Sequence, residues 1–260
     1  MSLLARFIEV NQWLSKATEN RLPPVFKRHI QTLYKYQVAE LLNRRPGQVV
    51  LDVGGGKECP FLPYLDAPHA HLIIALDISE EELRRNPRLD HKVVADAAAH
   101  GFPFRDGSAD AVVSRSVVEH IHDNAAFFEN CAHVLRPGGF MLHAFPGRFA
   151  PFALINRVLP NRVSRRLVAY LHPEWIEEDN YGFLAFYDRC YFSAIKCLLE
   201  RNSFTSASFT LLYYQSIYFS FLYPLFIMMV VYDLLTSMLR IRNLASGIIV
   251  TAQRLREEMR

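Results

Sequence analysis

The chain has 260 residues, of which 51% are hydrophobic and 13% aromatic, so it can bury one sizeable α/β core, and global disorder is excluded. A net charge of +3 does not mark a nucleic-acid binder. The four cysteines (Cys59, Cys131, Cys190 and Cys197) form no CxxC pair and no zinc spacing, and read as reduced, mostly buried thiols of a cytosolic protein.

Residues 1–46 read as a helical extension. Leu3, Leu4, Phe7, Ile8 and Leu14 share one helical stripe with Trp13 beside it. After Pro23 and Pro24 a second stripe carries Phe26, Ile30, Leu33, Tyr34, Val38, Leu41 and Leu42, and "NRRPG" (43–47) is a turn. "MSLLARFIEVNQWL" contains no long apolar h-region, so the expected location is cytoplasmic, with peripheral membrane contact open.

Between 47 and 147 the rhythm changes to short apolar runs separated by polar, helix-like segments. The runs are "VVLDV" (49–53), "LIIALD" (72–77), "HKVVAD" (91–96), "ADAVVS" (109–114) and "FMLHAF" (140–145). Such runs are parallel strands covered on both faces. The stretch 116–135 has helical spacing and stops at "RPGG" (136–139), where the next strand is expected to start. The expected fold is therefore α/β, a doubly wound Rossmann-like sheet whose ligand sits at the carboxyl ends of its strands. Residues 148–207 form a basic, aromatic insert and a return helix (188–204). Residues 208–260 hold two more strands, "SFTLLYYQ" (208–215) and "SGIIVTAQ" (246–253), around an apolar helical insert, 216–243.

Strand one runs straight into "GGG". Glycines let a backbone approach its ligand at positive φ, and amides at such a turn attract negative charge. A dinucleotide would need a third glycine where Glu58 stands near, and that carboxylate would repel a pyrophosphate. A ligand with a positive centre and an amino group tolerates it. Asp77, ending strand two, is placed to accept both hydroxyls of a ribose, and Asp96, ending strand three, to accept an adenine amino group.

"LDVGGG", "ALDIS", "VVADA", "FPFRDGSADAVVSRSVVEHI" and "VLRPGGFMLHAFP" occur in this order over about 100 residues. Together they resemble the core of the class I S-adenosylmethionine-dependent methyltransferases, in the subgroup that methylates small molecules, quinones and lipids. The resemblance implies a seven-stranded sheet with an antiparallel last strand and S-adenosylmethionine as cofactor. Asp52, Gly54, Gly55 and Gly56 would line its methionine end. Asp77 would hold the ribose, and Ile78 would lie against the adenine. Asp96 and Ala97 would meet the adenine edge, and Ser114 and Arg115 would face the sulfonium end. The departure from the family is at Lys57-Glu58-Cys59-Pro60, where a further glycine and an uninterrupted helix are usual.

Methyl transfer needs a base only where the acceptor must lose a proton. Glu119, His120 and His122 follow strand four and are the candidates, against the plainer reading of a solvated helix start. Two histidines at i,i+2 face different ways, so no metal site is expected. His172, Tyr181 and Tyr187 are weaker candidates that pack a lid.

The run 217–232 has sixteen residues without a charge but contains Pro224 and meets Asp233, which is too short for a span. A single crossing would also separate two strands of one sheet. Three readings remain: burial in the core or a homodimer, an in-plane membrane anchor, or the wall of a pocket for an apolar acceptor. Arg148, Arg157, Arg162, Arg165 and Arg166 interleave with Phe149, Phe152, Leu154, Ile155, Val158 and Leu159, a pattern suited to an anionic bilayer or, more plainly, to a charged lid. The expected function is methyl transfer to a small or lipid-like acceptor at a membrane surface. The rivals are methylation of a soluble metabolite by a homodimer, and an inactive cofactor-binding module. Nucleic acid is not an expected partner.

Overall fold

The computed structural model describes residues 2–99, 101–172 and 183–255. One seven-stranded sheet organises them, in the order β3-β2-β1-β4-β5-β7-β6. The strands are β1 (Val49–Val53), β2 (Leu72–Asp77), β3 (His91–Val94), β4 (Ala109–Arg115), β5 (Leu135–Pro146), β6 (Phe204–Leu212) and β7 (Gly247–Arg254). The first five pair in parallel, and β7 runs antiparallel between β5 and β6. The expected doubly wound, Rossmann-like sheet with its antiparallel last strand is the fold observed.

Apolar side chains on both faces explain the strand runs. Leu51, Val53, Val112 and Met141 pack on one side under the helix α4 (Asn124–Val134). Val50, Ala111, Val113 and Leu142 pack on the other under α2 (Ile30–Asn43) through Tyr34, Val38 and Leu42. β4 is buried along nearly its whole length, as the central strand of a covered sheet must be.

Local chemistry trims several expected elements. The 116–135 helix begins only at Asn124, because Asp123 caps it by accepting the Ala125 and Ala126 N–H groups. β5 starts at Leu135 and passes through "RPGG" instead of starting after it, with a register shift where Ala109 and Ala111 pair with Leu135 and Phe140. After the glycine loop there are two 3₁₀ turns, Leu62–Tyr64 and Pro68–Ala70, and no long helix, in keeping with Pro60, Pro63 and Pro68. A short helix, α3 (Glu80–Arg84), links β2 to β3.

α7 (Phe192–Arg201) packs on the sheet beside α4 through Ile195, Leu198 and Leu199, and a peripheral layer holds α1 (Leu3–Glu19), α5 (Pro151–Val158), α6 (Asn161–Leu171) and α8 (Tyr223–Met238). No described helix is long and apolar enough to cross a membrane. α8 lies on the surface, with Phe226, Met229 and Val230 turned inward and Met228, Val231, Leu235 and Met238 exposed. Buried Asp233 anchors it by accepting the N–H groups of Gln215 and Ser216 at 2.9 and 2.8 Å.

α1 reverses the expectation for an amphipathic helix. Its buried residues are Asn11, Ser15 and Glu19, whereas Leu3, Leu4, Phe7, Val10 and Trp13 are exposed. Polar bonds fasten it. Asn11 accepts the Tyr223 N–H, Ser15 donates to the Ser220 carbonyl, Gln12 donates to the Leu171 carbonyl, and Glu19 accepts from Tyr214. The stripe read from the sequence is real, but it faces outward.

Candidate functional site

The carboxyl ends of β1 and β2 bring Asp52 and Asp77 within reach of each other's charge, and Asp96 follows the end of β3. Asp52 pairs in register with Ala75, two residues before Asp77, and Asp77 pairs with Val94, two residues before Asp96. With side chains alternating along a strand, the Asp52 and Asp77 carboxylates fall on one face of the sheet, and Asp96 lies two residues past the end of β3. Their surroundings differ. Asp52 is 3% exposed, and its Oδ2 has no hydrogen-bond partner. Burial is the main cause that lifts its pKa to about 7. Arg115 and a Cys59 thiol donor pull it back down, and Asp77 and Glu58 add repulsion. Asp77 is raised more modestly by burial, because the N–H groups of Ser79, Gly56 and Ile78 donate to it. Asp96 is exposed and accepts the Ala98 N–H. Ile78 is exposed beside it, and Ala97 packs against the core.

The glycines are needed here for measurable reasons. Gly54 has φ +74°, and a Cβ on it would overlap the Val117 side chain. A Cβ on Gly55 would press on the Asp52 carboxyl, and one on Gly56 would meet Asp77 Oδ2 at 2.9 Å and Glu82 Cβ at 2.7 Å. The loop is thus drawn tightly down onto both acids. Lys57, next in line, sits 3.9 Å from Glu82, and Glu58 is ion-paired with Arg115.

A cavity of about 1440 Å³ opens beside this loop. Gly54, Glu58, Arg115 and Ser116 border it on the cleft side, and Glu119, Phe152, Tyr187 and Tyr218 lie deeper. Asp52, Gly55, Gly56, Asp77, Ile78, Asp96, Ala97 and His120 lie outside its lining. It is bounded on the far side by Gln12, Lys16 and Glu19 of α1, by His172 after α6, and by Ile217 and Ser220 ahead of α8. Phe152 and Tyr218 stack at 4.4 Å with rings 13° apart, forming a flat aromatic wall.

Glu119 is the chemically distinctive group. It sits in a 3₁₀ turn, Val118–His120, just past β4, and is 5% exposed. Its Oε2 has no partner, and burial pushes its pKa to about 8. Its backbone carbonyl accepts the N–H groups of Phe186 and Tyr187, which fixes the turn against the segment after the insert. His120 donates from Nδ1 to the Leu184 carbonyl at 3.0 Å, leaving Nε2 3.8 Å from Glu119 Oε1, and burial lowers its pKa. His122 is exposed against Phe186 and does not line the cavity. Tyr181 lies outside the described residues.

Ser114 also faces away from the cleft. It is fully buried and bonds His143 Nδ1 at 2.8 Å, while His143 Nε2 is 3.8 Å from Cys131 Sγ. Burial holds His143 neutral, with its pKa lowered to about 3. This buried polar chain belongs to the core, and residues 29 positions apart in the sequence give no signal of it. The Arg115–Glu58 pair, 57 positions apart, was equally unreadable. Among the described residues no cluster of three or more His, Cys, Asp or Glu is arranged to hold a metal.

Residues 51–143 match the family model described as a methyltransferase domain. A probable S-adenosylmethionine-dependent methyltransferase of Mycolicibacterium smegmatis is 36% identical over 134 residues, covering 48% of each chain. A demethylmenaquinone methyltransferase of Renibacterium salmoninarum is 32% identical over 162 residues, covering 55% of this chain and 66% of that one. The chain spans about half the length of the mycobacterial relatives it matches. In fold it is similar to phosphoethanolamine N-methyltransferase 2 of Haemonchus contortus, solved with S-adenosyl-L-methionine, at a TM-score of 0.53 and 15% identity, over 87% of this chain and 52% of that one. Residues 51–143 are thus a methyltransferase domain, similar to that of S-adenosylmethionine-dependent methyltransferases.

Proposed function

We propose that the chain binds S-adenosylmethionine at the ends of β1 to β3 and transfers its methyl group to a small or lipid-like acceptor held in the adjoining cavity. The observation that carries this reading is a glycine loop drawn down onto buried Asp52, whose Oδ2 has no hydrogen-bond partner, with Gly54 of that loop bordering the same cavity as Glu119, whose Oε2 also has none. The donor set suits this cofactor. Asp52 supplies an unsatisfied anion for its ammonium, Asp77 keeps acceptor capacity for ribose hydroxyls, and Gly54 and Gly56 let the backbone close over it.

When bound, the cofactor supplies the activated methyl group and its own leaving group. The chain's residues then align, exclude water and move a proton. Glu119 is placed to take a proton from an acceptor hydroxyl, amine or acidic carbon. With a pKa near 8 it is a stronger base than an ordinary carboxylate, in a site dry enough for the transfer. His120, its Nδ1 held by the Leu184 carbonyl, turns Nε2 toward Glu119 from 3.8 Å, beyond hydrogen-bond distance. The Phe152–Tyr218 wall suits a flat or apolar acceptor, and the relative named for demethylmenaquinone supports one of the quinone kind.

The reading includes work at a membrane surface. α1 is fastened by polar bonds and shows its apolar stripe outward, and α8, which touches it, also exposes an apolar stripe. Exposed Arg6, Arg157, Arg162 and Arg166 lie on α1, α5 and α6, and residues 148–172 contain no acid. Apolar and basic residues interleaved this way favour an anionic bilayer. Two assays test the reading. Methyl label from S-adenosylmethionine is expected in organic-extractable material when a lipid extract is supplied. The protein is expected to float with vesicles containing anionic lipid. Label confined to aqueous metabolites, with a dimer that ignores vesicles, would replace this reading with the soluble-metabolite one.

A further inference from the structure

The Arg115–Glu58 pair occupies an unusual place. Arg115 is the last residue of β4, and Ser116 after it holds φ 55° while donating to the Ala144 carbonyl, which fixes the strand end. The guanidinium reaches back across the mouth of the glycine loop and meets Glu58 at 2.5 Å. Arg115 and Glu58 line both the large cavity and a second one of about 480 Å³ beside it, so the pair stands as a partition between them. Arg115 is also close enough to Asp52 to act on its charge.

A fixed guanidinium is a poor neighbour for a sulfonium, since like charges repel. It is a good one for a carboxylate, which it grips in planar, two-pronged fashion. The amino-acid end of S-adenosylmethionine carries one carboxylate and one ammonium, and beside the glycine loop stand the Arg115 guanidinium and the buried Asp52, whose Oδ2 has no hydrogen-bond partner. We propose that Arg115 receives the α-carboxylate of the cofactor while Asp52 receives its ammonium, and that Glu58 is a built-in stand-in for that carboxylate, displaced when the cofactor enters. The proposal rests on the cleft being the cofactor site. Glu58 suits the displaced role, because its side chain is 62% exposed and returns to water at little cost, whereas that of Arg115 is 25% exposed and stays in place. It also accounts for an acid where the family usually has a glycine. Glu58 gives the site an internal competitor that keeps Arg115 paired until the amino-acid end of the ligand arrives.

The test compares two ligands sharing the adenosine thioether. S-adenosylhomocysteine carries the amino-acid end, and 5′-methylthioadenosine lacks it. Binding of both is measured by calorimetry to the wild type, Glu58→Gln and Arg115→Gln. Removing an exposed competitor is expected to tighten S-adenosylhomocysteine by about two- to fivefold. Removing a charge-assisted anchor is expected to weaken it by about ten- to a hundredfold. Neither change should move the affinity for 5′-methylthioadenosine by more than about twofold, a margin set by the small worth of surface charges. Because Glu58 is exposed, Glu58→Gln keeps the fold and keeps the test decisive if Arg115→Gln does not. Weaker binding of S-adenosylhomocysteine to Glu58→Gln, or equal effects on both ligands, would overturn the assignment while leaving the cleft as the cofactor site. Binding of neither ligand to the wild type would overturn both.

Discussion

The strand-tip cleft and the peripheral helical layer break the ordinary burial rule in opposite senses. In the cleft, carboxyl groups are buried with hydrogen-bonding capacity left over: Asp52 Oδ2 and Glu119 Oε2 have no partner inside the protein. In the layer, apolar groups are left in water: Trp13 is 69% exposed, Val158 83% and Met238 77%. A fold seeking only stability would do neither, since buried unpaired carboxylates cost several kcal/mol and large exposed apolar patches invite association. Each violation marks the kind of partner that would relieve it. In the cleft, Asp52 Oδ2 and Glu119 Oε2 lack hydrogen-bond donors, and the layer lacks an apolar surface with negative charge nearby. Asp110, at the opposite end of the sheet, shows what a purely structural acid looks like here. Buried at the amino end of β4, it is filled by Arg45, Arg136 and the Val49 N–H.

Substitutions can break this contrast at either end. The largest effect is expected at Glu119. Glu119→Gln should lower kcat by about 10²- to 10⁴-fold, the worth of a positioned base, while leaving the affinity for S-adenosylhomocysteine unchanged. The wild-type rate should rise with pH toward about 8, and the variant should lose that rise. Stability carries the same signature with opposite sign. The folded pKa is raised above the ordinary value, so the native state holds its proton after the unfolded chain has lost it, and stability falls between about pH 4.5 and 8. Thermal melts of Glu119→Gln should therefore overtake the wild type progressively across that window. Parallel melting curves at pH 5 and pH 8 would show that Glu119 is not buried as described.

A smaller effect belongs to the layer. Phe7→Ser with Trp13→Ser removes two exposed apolar side chains from α1. It should reduce partition onto anionic vesicles by about tenfold or more, with little change in melting temperature or cofactor affinity. A large loss of stability instead would mean that the stripe is covered in solution by another copy of the chain. Smallest of all, and purely geometric, is Gly54→Ala. Positive φ costs an alanine about 1 kcal/mol, and the new methyl must also displace Val117. Urea unfolding should show the loss, and Val117→Ala in the same chain should recover part of it.

How far the sequence could be read follows the same division. Sheet strands were legible because burial on both faces leaves a continuous apolar run, and β1 and β2 coincide with "VVLDV" and "LIIALD". The acids at the strand tips were legible as positions, because register follows from where strands end. Their environments were not, since whether a carboxylate is bonded or orphaned depends on groups arriving from elsewhere in the chain. So Ser114, read as a cleft residue, turned into the core toward His143, and His122, read alongside Glu119, came to rest outside the cavity. For α1, periodicity revealed a two-faced helix but not which face the body would take. That was decided by Tyr223, Ser220 and Tyr214, about 200 residues away, offering polar groups to Asn11, Ser15 and Glu19.

The central claim is that the acids at the tips of β1 and β2 form one cofactor site. Calorimetric titration of S-adenosylhomocysteine into the wild type and into Asp77→Ala tests it most directly. One ligand is expected to bind per wild-type chain and to lose at least about a hundredfold in affinity in the variant, as loss of a paired ribose contact with a carboxylate requires. Equal affinity in both proteins would contradict it.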